Sequence, residues 1–190
     1  MELKNHPEDY FNRLKSVLRS IDQEKLIELI KKIQSIIGTD RTIFIAGNGG
    51  SASTGSHMTC DLGKTILGKN PREKEARLKT ICLNDSIPLL TAWGNDEGYE
   101  YIFSEQLHNL GRKNDFLIVI TGSGNSANII EVAKSAQKMG IETYGILGFN
   151  GGKVKDLLDN YLLIKSNDYG IVEDIHMILV HLMTDWLKRQ

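Results

Sequence analysis

The sequence predicts an α/β protein built on a mostly parallel sheet with helices on both faces. Three observations carry that prediction. Short apolar runs such as T-I-F-I-A at 42–46 and F-L-I-V-I at 116–120 are unbroken rather than alternating, as in strands buried on both faces. Stretches of helical periodicity separate these runs, and strand–helix alternation implies crossover connections. Two of the runs end in glycine- and serine-rich turns, G-N-G-G-S at 47–51 and T-G-S-G-N-S at 121–126. In such sheets, ligands bind outside the carboxyl ends of the strands, where both turns must fall.

Residues 7–20 and 23–37 read as two consecutive helices. In the second, Leu26, Leu29, Ile30, Ile33 and Ile37 recur at helical spacing, Asp22 offers an N-cap and Gly38 a stop. Two amphipathic helices ahead of the first strand exceed what one sheet face needs, so packing against another subunit is the second expectation for this pair. Strand 42–46 breaks at Gly47-Asn48-Gly49-Gly50 into a helix beginning at Ser51. Residues 68–77 are charged, contain a proline and read as an exposed loop. Strand 78–83 follows, then N-cap chemistry at Asn84-Asp85-Ser86 ahead of Pro88 and an apolar helix. A further helix lies near 99–110, strand 116–120 runs into the second turn, and a helix spans about 127–139 before Gly140. Strand 143–147, a short helix to Leu158, strand 161–165 and a helix from about Val172 to Leu187 complete the series. With no repeat, low-complexity tract or linker, residues 1–190 read as one domain, with N-terminal helices over 1–38 and an α/β sandwich over 39–190.

The totals narrow the function. A chain of 190 residues can hold a substantial single core, and its hydrophobic (41%) and charged (25%) fractions are those of an ordinary soluble globular protein. A net charge of −1 gives no electrostatic footprint for nucleic acid or an anionic membrane. The first twenty residues are charged throughout, unlike a signal peptide, and no apolar run approaches the roughly 20 residues of a membrane span. Cys60 and Cys82 have no metal-type spacing, so a reduced, cytoplasmic location is expected.

Strand, glycine turn, helix presents backbone N–H groups to an anion. The turn at 47–51 matches neither the dinucleotide pattern G-x-G-x-x-G nor the G-x-x-x-x-G-K-[ST] loop, which disfavours ordinary nucleotides. The turn at 121–126 places three hydroxyls, on Thr121, Ser123 and Ser126, among glycines. An N-cap explains one serine, most naturally Ser126, but not three, and the set suits a phosphate monoester. His57 and Asp61, four residues apart, share a helix face and read first as an acid–base pair. On the last helix, E-D-I-H-M-I-L-V-H at 173–181 holds Glu173, His176 and His181. At about 100° per residue, His176 lies roughly 60° from Glu173 and His181 roughly 80°.

G-N-G-G-S at 47–51 with His57 following, G-N-D at 94–96, S-G-N-S at 123–126 and E-x-x-H-x-x-x-x-H at 173–181 together resemble the SIS (sugar isomerase) domain phosphoheptose isomerase family. The motifs occur in the family's order over nearly the whole chain. The resemblance implies a three-layer sandwich with a five-stranded parallel sheet flanked by helices, and a homotetramer with active sites between subunits. It also implies conversion of sedoheptulose 7-phosphate to D-glycero-D-manno-heptose 7-phosphate. Carried over by position, Asn48, Gly49, Gly50 and Ser51 line the sugar phosphate site, and Asn95 and Asp96 touch the substrate. Thr121, Gly122, Ser123 and Ser126 hold the phosphate. His57 and His181 are metal ligands, with His181 also an acid–base residue.

This chain departs from the family pattern at three points. Asp61 stands where the family has a catalytic glutamate, Glu173 where it has a glutamine, and Gly122 where it has a hydroxyl residue. Asp is shorter than Glu by one methylene, about 1.5 Å of reach, and a general base must come within about 3 Å of its proton. Glu173 then supplies the displaced carboxylate, giving His57, Asp61, Glu173 and His181 as a ligand set suited to Zn2+ or another first-row divalent ion. Either Glu173 or Asp61 is the base, with His181 and the ion stabilising an enediolate. Two alternatives stay open: an isomerase of another phosphosugar, and a non-catalytic SIS module binding a sugar phosphate or a protein partner.

Overall fold

In the computed structural model, which describes residues 3–190, five strands form one all-parallel sheet in the order β2-β1-β3-β4-β5. The strands are β1 (Thr42–Gly47), β2 (Lys79–Cys82), β3 (Phe116–Thr121), β4 (Glu142–Leu147) and β5 (Asn160–Leu163). All five expected strands are present and the sheet has the expected composition. The chain runs from β1 outward to β2, then returns across β1 to start β3 on its other side. That reversal makes the gap between β1 and β3 the topological switch point, the place where open α/β sheets bind their ligands.

Residues of β1 and β3 alternate between two apolar cores. Ile43, Ile45, Ile118 and Ile120 face one side with α2 (Gln23–Ile36), α3 (Gly50–Gly63) and α7 (Tyr169–Lys188). Phe44, Ala46, Leu117 and Val119 face the other with α5 (Ser104–Leu110) and α6 (Ala127–Met139), and Leu90 and Trp93 of α4 (Ile87–Asp96) pack against that core. Both side-chain directions are buried, which explains the unbroken apolar runs.

Of the two leading helices, α2 sits on the sheet, burying Leu26, Leu29, Ile30, Ile33 and Ile36, and Asp22 caps it by accepting from the Lys25 amide. Helix α1 (His6–Arg19) buries no residue fully. It is tied to α7 at the polar level, Tyr10 Oη donating to Asp174 at 2.7 Å and Arg13 pairing with Asp168 at 2.6 Å. Asp168 starts α7 three residues earlier than the apolar pattern alone indicated, because its carboxylate accepts from the Gly170 and Ile171 amides. The Arg13 guanidinium holds that carboxyl below the usual range. Residues 68–77 form the expected exposed loop, with a single helical turn at Pro71–Glu73. Between α2 and α7 runs an apolar groove of about 590 Å3, bordered by Ile27, Ile30, Leu179, Leu182 and Trp186. No helix among the described residues is long and apolar enough to cross a membrane.

Candidate active site

Strand β1 ends in the G-N-G-G-S turn. Gly49 adopts φ +56°, ψ −122° and lies just ahead of α3. The Ala52 and Ser53 amides bond back to Asn48 and Gly49, while the earlier amides head the helix, where a helix has no partners of its own to offer. From α7, the half-buried Glu173 reaches over this turn. Its carboxylate fills the space where a side chain at position 50 would begin, so any such side chain would have to push it aside. Glu173 makes no hydrogen bond or ion pair among the described residues.

Strand β3 ends in the second turn. Pairing of β1 with β3 sets Gly47 opposite Ile120, so the two turns lie side by side. Thr121 Oγ1 accepts from the Gly124 amide at 3.2 Å and Ser123 Oγ from the Asn125 amide at 3.3 Å, which shapes the loop from within. Gly124 has φ +66°, and any side chain on it would overlap the Gly151 backbone. Ser126 holds the N-cap position of α6 yet makes no capping hydrogen bond, so the expected capping role is not the one its hydroxyl plays. At Gly122, an added methyl would meet the Tyr169 ring at 2.8 Å. That ring packs edge-on against Phe149 with centroids 4.6 Å apart, so the departure at 122 is matched by an aromatic wall.

About two turns along α3, His57, followed one turn later by Asp61, comes together with His181 of α7. The His57 and His181 Nε2 atoms are 3.0 Å apart, and His57 Nε2 lies 3.5 Å from Asp61 Oδ2. The three ligating atoms all fall within 4.8 Å of one another. Asp61 is buried, and Thr184 Oγ1 donates to its Oδ2 at 3.1 Å. Two imidazoles and a carboxylate suit a first-row divalent ion, which binds imidazole nitrogen at about 2.0–2.1 Å. The convergence of the two Nε2 atoms therefore fits such an ion.

Of the four residues expected as ligands, His57, Asp61 and His181 converge and Glu173 stands apart at the Gly50 turn. His176 is in neither group. It is fully buried, neither ring nitrogen has a partner among the described residues, and burial pushes its pKa down to about 4. Asn48 reaches the first turn of α6 through a reciprocal amide pair with Asn128, each Nδ2 donating to the other's Oδ1 at 2.9 Å. Asn95 and Asp96 bond to each other at the end of α4, and the next turn carries Tyr99, whose hydroxyl donates to Asn48 Oδ1 at 3.3 Å. Sequence reasoning passed over Asn128, Tyr99 and Thr184. Only Asn128, two residues after Ser126, had a positional signal.

A family model described as SIS domain matches residues 9–148. The chain is 36% identical over 167 residues to the phosphoheptose isomerase of Helicobacter pylori (strain ATCC 700392 / 26695), covering 88% of this chain and 84% of that one. To the phosphoheptose isomerase of Geotalea daltonii it is 31% identical over 177 residues, 92% and 90% of the two chains. The structure of phosphoheptose isomerase GmhA from Neisseria gonorrhoeae superposes over 100% of both chains with a TM-score of 0.87 and 28% identity. By the family model that covers most of its length and by these relatives, the chain belongs to the SIS-domain phosphoheptose isomerase family.

Proposed function

We propose that the protein interconverts sedoheptulose 7-phosphate and D-glycero-D-manno-heptose 7-phosphate through an enediol. The observation that carries this reading is the Glu173 carboxylate, without a partner among the described residues, standing over the glycine turn at the switch point of the sheet. Its relatives' shared name, phosphoheptose isomerase, supports the choice of substrate.

In this reading Thr121, Ser123, Ser126 and the backbone at Gly122 hold the phosphate. Asn48, Gly49, Gly50, Ser51, Asn95 and Asp96 face the sugar. Glu173 takes the proton from C1 of the ketose as the C1–C2 double bond of the enediol forms, and returns it to C2. The hydroxyl proton on O1 leaves as O2 gains one, so the two carbons exchange oxidation states and nothing is consumed. Asp61 is assigned to ion binding rather than to proton transfer, because its oxygen is already engaged by Thr184 and turned toward His57. His57, Asp61 and His181 would hold Zn2+ or a similar ion, which supplies Lewis-acid polarisation of a sugar oxygen. We further propose that the whole chain works as one domain and acts in the cytoplasm. Self-association into a tetramer is supported by the exposed apolar groove between α2 and α7.

The test is turnover of sedoheptulose 7-phosphate by purified protein, with and without added zinc, following the aldose product by NMR. No turnover under either condition refutes the reading. Glu173→Gln should abolish turnover while retaining affinity for the sugar phosphate, and an unchanged kcat would remove Glu173 as the base. Sedimentation gives the oligomeric state, and a monomer would refute the tetramer.

A further inference from the structure

The reciprocal amide pair between Asn48 and Asn128 of α6 limits what Asn48 can offer a ligand. An asparagine side chain has two N–H donors and one oxygen with two lone pairs. Asn48 Oδ1 accepts from Asn128 Nδ2 at 2.9 Å and from Tyr99 Oη at 3.3 Å, which fills both lone pairs. Its Nδ2 gives one hydrogen to Asn128 Oδ1 at 2.9 Å. A single N–H is left, and the pairing fixes its direction, since a reciprocal amide pair holds both planes together. Asn128 is itself 1% exposed, so this partner is set in the protein interior.

We infer that Asn128 and Tyr99 are positioning residues that lock Asn48 as a single-hydrogen donor toward an oxygen of the phosphosugar. The inference rests on the isomerase reading for the identity of that ligand. The device also joins the turn after β1 to the first turn of α6, so the sugar-facing group is held in register with the phosphate-holding loop. Its selectivity follows from chemistry. Asn48 then donates to a hydroxyl or carbonyl oxygen and has no lone pair free to receive a donor.

Two variants test it. Asn128→Leu removes both bonds of the pair at similar side-chain size, and Tyr99→Phe removes only the third bond from an exposed residue whose loss leaves the fold intact. Calorimetric affinity for sedoheptulose 7-phosphate, affinity for inorganic phosphate, KM and kcat are measured for each. Asn128→Leu should weaken sugar phosphate binding and raise KM about tenfold, and Tyr99→Phe about threefold, with kcat within about twofold and inorganic phosphate affinity unchanged. A merely structural role would instead lower kcat through loss of active protein and leave KM and Kd alone, and that result overturns the inference. Unchanged sugar phosphate affinity in both variants overturns it as well, as does failure of the wild type to bind the sugar phosphate. Wild-type protein that binds the sugar phosphate without converting it defeats the isomerase reading, while the variants' affinities still decide the positioning roles.

Discussion

Replacing His176 should change how the protein responds to acid. Its ring is enclosed by the core around α7, and burial alone lowers its pKa from 6.5 to about 4. In the unfolded chain the imidazole recovers its ordinary value, so between pH 6.5 and pH 4 the unfolded state binds more protons than the folded one. Stability therefore rises with pH across this window and is lost as pH falls through it. The full difference corresponds to about 3 kcal/mol, of which about 2 kcal/mol is lost by pH 5 relative to pH 7 and above. For a chain of this size, 2 kcal/mol is a shift of roughly 4–8 °C in Tm. Other groups titrate over the same range, so the informative quantity is the difference between wild type and His176→Leu. Urea unfolding of both at pH 7.5 and pH 5 should show wild type losing about 2 kcal/mol more than the variant. Parallel losses in the two proteins would refute the claim that His176 is held neutral by burial.

Gly50→Ala should displace the Glu173 carboxylate, lowering kcat about 100-fold with little change in Tm, because the obstacle is the end of a flexible side chain; unchanged kcat would separate Glu173 from the chemistry. Gly124→Ala meets backbone instead, at positive φ, and should cost ~3 kcal/mol in urea unfolding. Thr184→Val should weaken zinc binding about tenfold in competition with a chromogenic chelator, by freeing Asp61 to rotate. Equal affinities would show that Asp61 needs no such support.

Most of the architecture was legible because each strand carried a signal strong enough to survive without neighbours. Phe116 to Thr121 is buried at every position, and a run of that kind has few alternatives. Helix α7 starts ahead of its apolar pattern because an N-cap acts through one carboxylate, that of Asp168, while the apolar residues begin later. The site divided along similar lines. His57 and Asp61 were readable as neighbours because a helix fixes their spacing. Their meeting with His181, and the separation of Glu173 from them, depends on how α7 crosses α3, which no local pattern encodes. Asn128 and Thr184 escaped notice for the same reason, since each acts through a side chain more than seventy residues away in sequence.

Helix α7 supplies His181, Glu173 and Thr184, whereas the rest of the ion site and the first turn come from β1 and α3; His57 and His181 are 124 positions apart. Competence therefore reports the docking of one helix. If α7 lifts from the sheet in a partial opening, the imidazoles separate and the carboxylate leaves its turn while β1 to β5 stay paired. Loss of activity in mild denaturant would then precede loss of the sheet, and protection of the α7 amides from hydrogen exchange would track the active fraction.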